Sequence, residues 1–463
     1  MRQPVYLGST RGGLAREEFR RHPVPTAPAA QAREGGAGEK AGDIFVQARG
    51  QWKHVGWTVS FVGFLLYVFV ITTYRLPVGD LGVGIGLLGL LFLKEKFRFP
   101  KPLILFAVML TWCALGYFQS RWPGAVEKEL TNFGKLGLIL LVMMNSLRTR
   151  SQVRIFIIFW LACFALFPLR GAYFTYFVGG YTVDGRAVWN NVYRNPNDLA
   201  ALTLLMLGLC AGVLVSDSNK WFRRAALTGL VMLSLLVFMT QSRGAFIGFA
   251  VFAGVAMVSY KQRAKALVIA ALGSLVIALA APSSVWDRLG AMANPTGTED
   301  LTAMDDQGSA EQRFEIWQTA VRITVDNPIF GVGWGAYPRA NDLYSPASAG
   351  SEFQLGARDA HNTYLRTAAE LGLPGLAIFL GLVGSALLYA RRVRLKCRAV
   401  MPSAAQQLRF MELGLIAFMI TGVFGSFSRL SFPYLVVVLL WVTARACEDD
   451  LRAFQRVSRP FSR

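Results

Sequence analysis

The sequence predicts an all-α polytopic membrane protein, with about 12 transmembrane helices and one long loop on the side away from the cytoplasm. Three observations carry this. The 463 residues are 54% hydrophobic and only 16% charged, where an ordinary soluble chain carries about 25% charged residues. Apolar runs near the roughly 20 residues that span a bilayer recur along the chain. Lysine and arginine gather in alternate loops between those runs, as the positive-inside pattern requires. The 13% aromatic residues and 45 glycines suit membrane helices, which tolerate Gly and carry interfacial Trp and Tyr.

Residues 1–54 are polar and rich in Gly, Ala and Arg, without the apolar run of a signal peptide. They read as a disordered, basic cytoplasmic tail. Nine candidate spans occupy residues 55–281, centred on 55–74, 79–93, 102–118, 133–147, 154–176, 198–216, 224–241, 244–260 and 265–281. The long loop covers 282–360. Three more spans occupy 361–447, centred on 363–390, 408–427 and 430–446, and 448–463 form a C-terminal tail. The second and fourth candidates are short, so tilting, re-entry or fusion would bring the number to about ten or eleven.

The basic loops are Lys94–Lys101, Arg148–Arg154, Lys220–Arg224, Lys261–Lys265 and Arg391–Arg398, with the tail from Arg445 onward. The intervening loops hold far fewer cations, which places both termini in the cytoplasm. This pattern accounts for most of the net charge of +20, so nucleic-acid binding is not needed to explain it. The five cysteines, Cys113, Cys163, Cys210, Cys397 and Cys447, show no CxxC spacing. A disulfide framework and a zinc site are both disfavoured.

The loop 282–360 holds eleven acidic residues against five arginines and no lysine. Within it, Glu311 to Asp326 has helical spacing, with Phe314, Trp317, Val321 and Val325 on one side. Such a helix could lie along the membrane surface or cover a cavity. Asn327-Pro328 stops it, and Gly331-Val-Gly333-Trp-Gly335 reads as a tight turn or close-packed segment. No internal repeat appears, which argues against a transporter of two related halves.

Of three histidines, His22 and His54 belong to the cytoplasmic tail or its edge, and only His361 falls on the outer side. It opens Ala360-His361-Asn362-Thr363-Tyr364-Leu365. A helix-start histidine bonded to a nearby carbonyl is one reading; a general base or phosphate partner is the other. Arginines cluster on the same side. Arg243 lies in Gln241-Ser-Arg-Gly-Ala, Arg186 and Arg194 flank Val188-Trp-Asn-Asn-Val-Tyr193, Arg170 follows Phe167-Pro-Leu, and Arg429 sits in Ser426-Phe-Ser-Arg-Leu-Ser431. Each alone could snorkel to lipid headgroups. Together, and near one histidine, they suit an anionic diphosphate headgroup, because guanidinium grips phosphate oxygens in a fork.

Other features say less. Glu299-Asp300 with Asp305-Asp306 could hold a divalent cation, although a run of this kind is more often a solvated loop. The GxGxG lacks the helical phosphate turn of a nucleotide site. Arg75-Leu-Pro-Val-Gly-Asp80, the first outer loop, has no acidic pair, which counts against glycosyltransferases that hold a metal there.

The order of these motifs resembles the O-antigen ligase and Wzy polymerase superfamily. It runs from Ser242-Arg243-Gly-Ala through Arg313-x-x-x-Trp317, Pro328 and Gly331-x-Gly333-x-Gly335-x-Tyr337. It ends on His361-Asn362-x-Tyr364-Leu with Glu370-x-Gly372 and Gly375. The resemblance is densest over residues 165–435. Arg170-Gly171, Gly179-Gly180-Tyr, Gly185-Arg186 and Asn195-Pro-Asn-Asp198 look like ligase-type members; the long basic tail falls outside the pattern.

The resemblance implies a GT-C-type membrane glycosyltransferase of the bacterial inner membrane that needs no metal or other cofactor. Its donor would be a glycan on undecaprenyl diphosphate at the periplasmic face, and its acceptor lipid A-core or another glycan. His361 then matches the histidine that activates the acceptor hydroxyl or assists at the diphosphate, and Arg243 an arginine that holds the diphosphate. Arg186 and Arg194 match an earlier arginine less closely. Arg170, Arg429, Arg313, Tyr364 and Asn362 complete the expected substrate contacts. A polymerase shares the donor and differs in acceptor. A lipid-glycan flippase would use the cations as a pathway, and transfer to a protein acceptor would use the same chemistry.

Overall fold

The structure, a computed structural model, describes residues 56–76, 78–93, 95–259, 310–345 and 358–458. The tail 1–54, the candidate span 265–281 and the acidic pairs at 299–300 and 305–306 lie outside these residues. Hydrocarbon offers no partner to a backbone amide, so membrane segments bond internally as helices. Among the described residues, a lone bridge between Val183 and Arg186 is the only extended pairing.

The helices are α1 (Val59–Thr73), α2 (Gly79–Leu91), α3 (Lys101–Tyr117), α4 (Pro123–Ser146), α5 (Arg150–Phe164), α6 (Arg170–Phe177) and α7 (Pro196–Ser216). They continue with α8 (Lys220–Met239), α9 (Arg243–Ser259), α10 (Ala310–Asp326), α11 (Tyr337–Tyr344), α12 (Thr363–Cys397), α13 (Pro402–Thr421) and α14 (Ser431–Ser458). A π-helical turn at Ala165–Leu169 joins α5 to α6; Pro168 within it lacks an amide donor, which favours such a bulge.

Short turns make successive helices antiparallel, so the loops collect at two ends. At the basic end, Arg154 pairs with Asp217 at 2.7 Å, Arg394 with Glu412 at 3.0 Å and Arg150 with Asp450 at 3.5 Å. At the other end, Lys135 pairs with Asp80 at 2.9 Å and Arg429 with Glu129 at 3.0 Å.

Among the described residues, five helical stretches are long and apolar enough to cross a membrane: Arg150–Phe177, Pro196–Ser216, Lys220–Met239, Thr363–Cys397 and Ser431–Arg456. Val59–Thr73, Gly79–Leu91, Lys101–Tyr117 and Arg243–Val258 are apolar but shorter. The chain is therefore a multi-pass α-helical membrane protein, and its described residues hold fewer full-length apolar helices than the twelve expected spans, one of which lies outside them. Part of the difference lies in α4. It begins at Pro123 rather than near 133 and takes in Glu127, Lys128 and Glu129, charges that read as loop in the sequence. At the other extreme, α14 runs through residues expected as C-terminal tail and ends at Ser458.

Helix α7 forms the centre, with every residue from Leu199 to Val213 buried. A helix apolar on all sides has no solvent face to offer. It packs on α13 at Gly208, where a Cβ would stand 2.7 Å from Gly414 Cα. Small residues of this kind let membrane helices approach closely.

The connection before α12 carries its own small core: Ile316, Ala320 and Ile323 of α10 meet Tyr337 and Ala340 of α11, with Ala360 and Ala369. Here the sequence reading needs correction. The side with Phe314, Val321 and Val325 is exposed, and Trp317 alone of the expected face is half-buried. The neighbouring stripe, Ile316, Ala320 and Ile323, packs inward because it spaces as i, i+4, i+7 over Tyr337 and Ala369.

This lid is fastened to a break in α12 at Gly372, whose φ is 70°. The break frees carbonyls that need donors. Val332 N donates to Ala369 O at 2.9 Å and Gly333 N to Glu370 O at 3.0 Å. Trp112 Nε1 donates to Leu371 O at 2.9 Å, and Leu373 N returns a bond to Pro328 O at 2.9 Å. The GxGxG segment is thus a close-packed strap: Gly331, Gly333 and Gly335 all have positive φ.

Candidate active site

His361 stands where the lid segment re-enters the bundle. Its φ of 46° is sparsely populated for a residue with a Cβ and costs about 1–3 kcal/mol. Strain of that size persists only where the surroundings over-determine the turn. Asn362 N-caps α12, its Oδ1 accepting from Tyr364 N at 2.9 Å and Leu365 N at 3.1 Å. Thr363 N donates to Gly422 O at 2.7 Å and its Oγ1 to Gly425 O at 2.6 Å. These bonds tie the turn to the α13–α14 loop. From the lid, Trp317 Nε1 donates to Ala360 O at 3.0 Å.

So held, His361 lines a polar cavity of about 290 Å³ together with Glu129, Asn195, Asn197, Asp198, Asp359, Arg366, Gly425, Ser426, Arg429 and Leu430. Both guanidiniums in this wall are already paired. Arg429 meets Glu129 at 3.0 Å and Arg366 meets Asp359 at 2.6 Å. Arg366, 2% exposed, also meets Glu370 at 3.1 Å, and Glu370 is 0% exposed. Glu370 Oε1 accepts from Tyr337 N at 3.2 Å as well, which links the lid to the cavity wall. Burial raises the pKa of the Tyr337 phenol and keeps it neutral. Asp198 sits in the first turn of α7.

The second cavity is small, about 20 Å³, and its charged lining is cationic. Arg186, Arg243 and Arg313 line it with Asn197, Gln241, Ser242, Gly244 and Phe424. Arg186 arrives on a two-residue turn, with Asp184 and Gly185 at φ of 50° and 69°. Asp-Gly is favoured in the type I′ turn because both central residues need positive φ. Arg186 N donates to Val183 O at 2.9 Å, and Ala187 N docks the turn on Met239 O at 2.9 Å. The Arg186 guanidinium donates to Thr240 O at 2.8 Å and to Asn197 Oδ1 at 2.6 Å.

Arg243 is the first residue of α9. Its guanidinium has no ion pair or hydrogen bond among the described residues. Three guanidiniums beside a helix N-terminus, with no carboxylate in the lining, suit phosphate oxygens. Asn197 lines both cavities, so they are neighbours across this residue.

The structure thus brings His361 and Arg429 to one cavity and Arg243, Arg186 and Arg313 to its neighbour. It does not bring in the remaining four. Arg170 is exposed on the first turn of α6, and Arg194 is exposed with its Nε 3.4 Å from Tyr181 Oη. Asn362 is occupied in capping α12, and Tyr364 Oη donates to Met419 O.

Sequence reasoning overlooked Glu129, Asp198, Asp359 and Arg366. Arg366 carried a signal, since a charge within an apolar span, one turn before Glu370, calls for a partner. Glu129 carried none, because its neighbours Glu127 and Lys128 read as loop.

A search of curated proteins finds no match to the chain. Residues 228–380 match the family model described as O-antigen ligase. That segment runs from α8 into α12 and carries Arg243, Arg313, His361 and Glu370, so over these residues the chain is similar to the O-antigen ligase family.

Proposed function

We propose that this protein transfers a glycan from undecaprenyl diphosphate to a sugar hydroxyl of lipid A-core, as an O-antigen-ligase-type glycosyltransferase of the bacterial inner membrane. The observation that carries this reading is the adjacency of the His361 cavity and the arginine cavity, both lined by Asn197. One offers a base and the other a site for developing negative charge.

The donor already holds a good leaving group, so the enzyme has two tasks: to place the acceptor hydroxyl behind the anomeric carbon and to stabilise charge growing on the diphosphate. Arg243, with Arg186 and Arg313, does the second without metal or other cofactor. At about 20 Å³ the arginine cavity admits roughly one water-sized oxygen; engaging a diphosphate requires the guanidiniums to part. His361 takes the acceptor proton as the new C–O bond forms and the bond to the diphosphate oxygen breaks. In-line displacement inverts the anomeric centre.

The basic loops mark the cytoplasmic end by the positive-inside rule. This puts both termini in the cytoplasm and the site at the periplasmic face, in a GT-C-type bundle. The test is transfer by the purified protein in detergent, without metal, from a defined undecaprenyl diphosphate glycan. Glycosylated lipid A-core is the expected product. Extension of a second lipid-linked unit instead would make the protein a polymerase, and binding without any transfer would favour a flippase.

A further inference from the structure

The two cavities differ in charge, and the difference bears on the acceptor. The arginine cavity has no carboxylate in its lining. The His361 cavity has three, Glu129, Asp198 and Asp359, against the guanidiniums of Arg366 and Arg429. Those guanidiniums are committed: Arg429 to Glu129 at 3.0 Å, Arg366 to Asp359 at 2.6 Å and to Glu370 at 3.1 Å. Asp198 alone among the three carboxylates forms no ion pair or hydrogen bond among the described residues.

Asp198 shares the cavity with Asp359, Arg366 and Arg429, and both arginines are paired with other acids. The cavity therefore presents one uncommitted carboxyl group and no uncommitted guanidinium of its own. A carboxyl group hydrogen-bonds hydroxyls, whereas guanidiniums already spent on acids leave a phosphate or carboxylate without a partner. At about 290 Å³ the space lies near the lower end of the roughly 300–1,000 Å³ typical of small-molecule sites. That suits one sugar ring rather than an oligosaccharide.

We propose that Asp198 is an acceptor-binding residue, accepting a hydrogen bond from a hydroxyl of the terminal acceptor sugar, and that the site selects an uncharged sugar over an anionic one. This rests on the glycosyl-transfer reading above and adds the chemical class of its acceptor. His361 keeps the role of base; Asp198 fixes the ring against it.

The experiment uses the full chain in detergent with an undecaprenyl diphosphate glycan donor. Two acceptor glycans differ only in whether the terminal hexose carries a phosphate. Wild type should favour the neutral acceptor by at least about tenfold in kcat/KM. Asp198→Asn should raise the neutral acceptor's KM about 10- to 100-fold, leave the donor KM unchanged and narrow the discrimination against phosphate. If Asp198 serves only the structure of the α7 start, the substitution lowers thermal stability without moving acceptor KM or preference, and the inference fails. Should Asp198→Asn not fold, the wild-type comparison decides, since equal or reversed preference overturns the proposal. Absence of transfer to either acceptor by wild type overturns the glycosyl-transfer reading itself, and this inference with it.

Discussion

Glu370 and Arg366, one turn apart in α12, form an ion pair of 3.1 Å in which the side chains are 0% and 2% exposed. The pair joins two parts of the molecule. Glu370 receives the amide of Tyr337 from the lid, and Arg366 reaches Asp359, two residues before His361. The lid and the histidine turn therefore share one buried charge network, directly before the break at Gly372.

Removing one member of such a pair leaves an uncompensated buried charge, which typically costs about 3–5 kcal/mol. Arg366→Met should destabilise the protein by that order, and Glu370→Met similarly. The double substitution should cost much less than the two together, because a buried pair can be replaced by apolar side chains at little net loss. Thermal unfolding of the four proteins in detergent measures this. Strictly additive losses would mean that the pair does not act as a unit.

For His361 the informative substitution is Asn rather than Ala, since Asn tolerates the left-handed backbone that His361 adopts. His361→Asn should keep the left-handed turn and a folded protein, and lower transfer about 10²- to 10⁴-fold. A general base must be deprotonated to work. Wild-type kcat/KM should therefore fall on the acid side of its pH profile, and that limb should vanish in the variant. Persistence of the same limb in His361→Asn would assign the titration to another group.

Much of the bundle was legible because a membrane helix writes itself as an apolar run, and because basic loops mark one end. That Arg243, Arg186 and His361 line cavities was legible for a related reason: a polar residue at the end of an apolar segment has few neutral explanations. What stayed hidden depended on tertiary pairing. Glu129 became part of the site only because α4 starts at Pro123 and Arg429 comes back to meet it. The buried face of α10 was misjudged because Phe314, Val321 and Val325 are the larger side chains. Periodicity reports that a helix has an apolar stripe; it does not say which of two stripes finds a partner.

Arg243 offers the sharpest test of charge stabilisation without metal. Loss of one preorganised donor to a developing anion costs about 10²–10³ in kcat, and Arg243→Ala should lose at least that. Arg243→Lys keeps the charge but not the fork, so it should recover only part of the rate. If Lys restores full activity, the site reads charge alone and the bidentate grip is not used. Rates at saturating donor, with donor binding measured separately, distinguish the two.

The strap between lid and α12 makes a prediction that sequence periodicity could not. A Cβ on Gly331 would collide with the Glu370 carbonyl carbon and stand 2.5 Å from Ala369 O. Both are backbone atoms in a helix and cannot swing aside. The φ of 64° there adds its own penalty. Gly180 has a similar φ of 61°, but a Cβ added to it would meet nothing within 4 Å. Gly180→Ala should therefore cost only about 1–2 kcal/mol, the left-handed term alone. Gly331→Ala should cost about 3 kcal/mol or more, the range of severe core disruption, and should loosen the lid. Thermal unfolding reads the first difference. Protease cleavage within residues 310–345 reads the second: it should accelerate in Gly331→Ala and not in Gly180→Ala. Equal sensitivity in both variants would show that conformational preference, rather than the close approach to α12, is what the glycine provides.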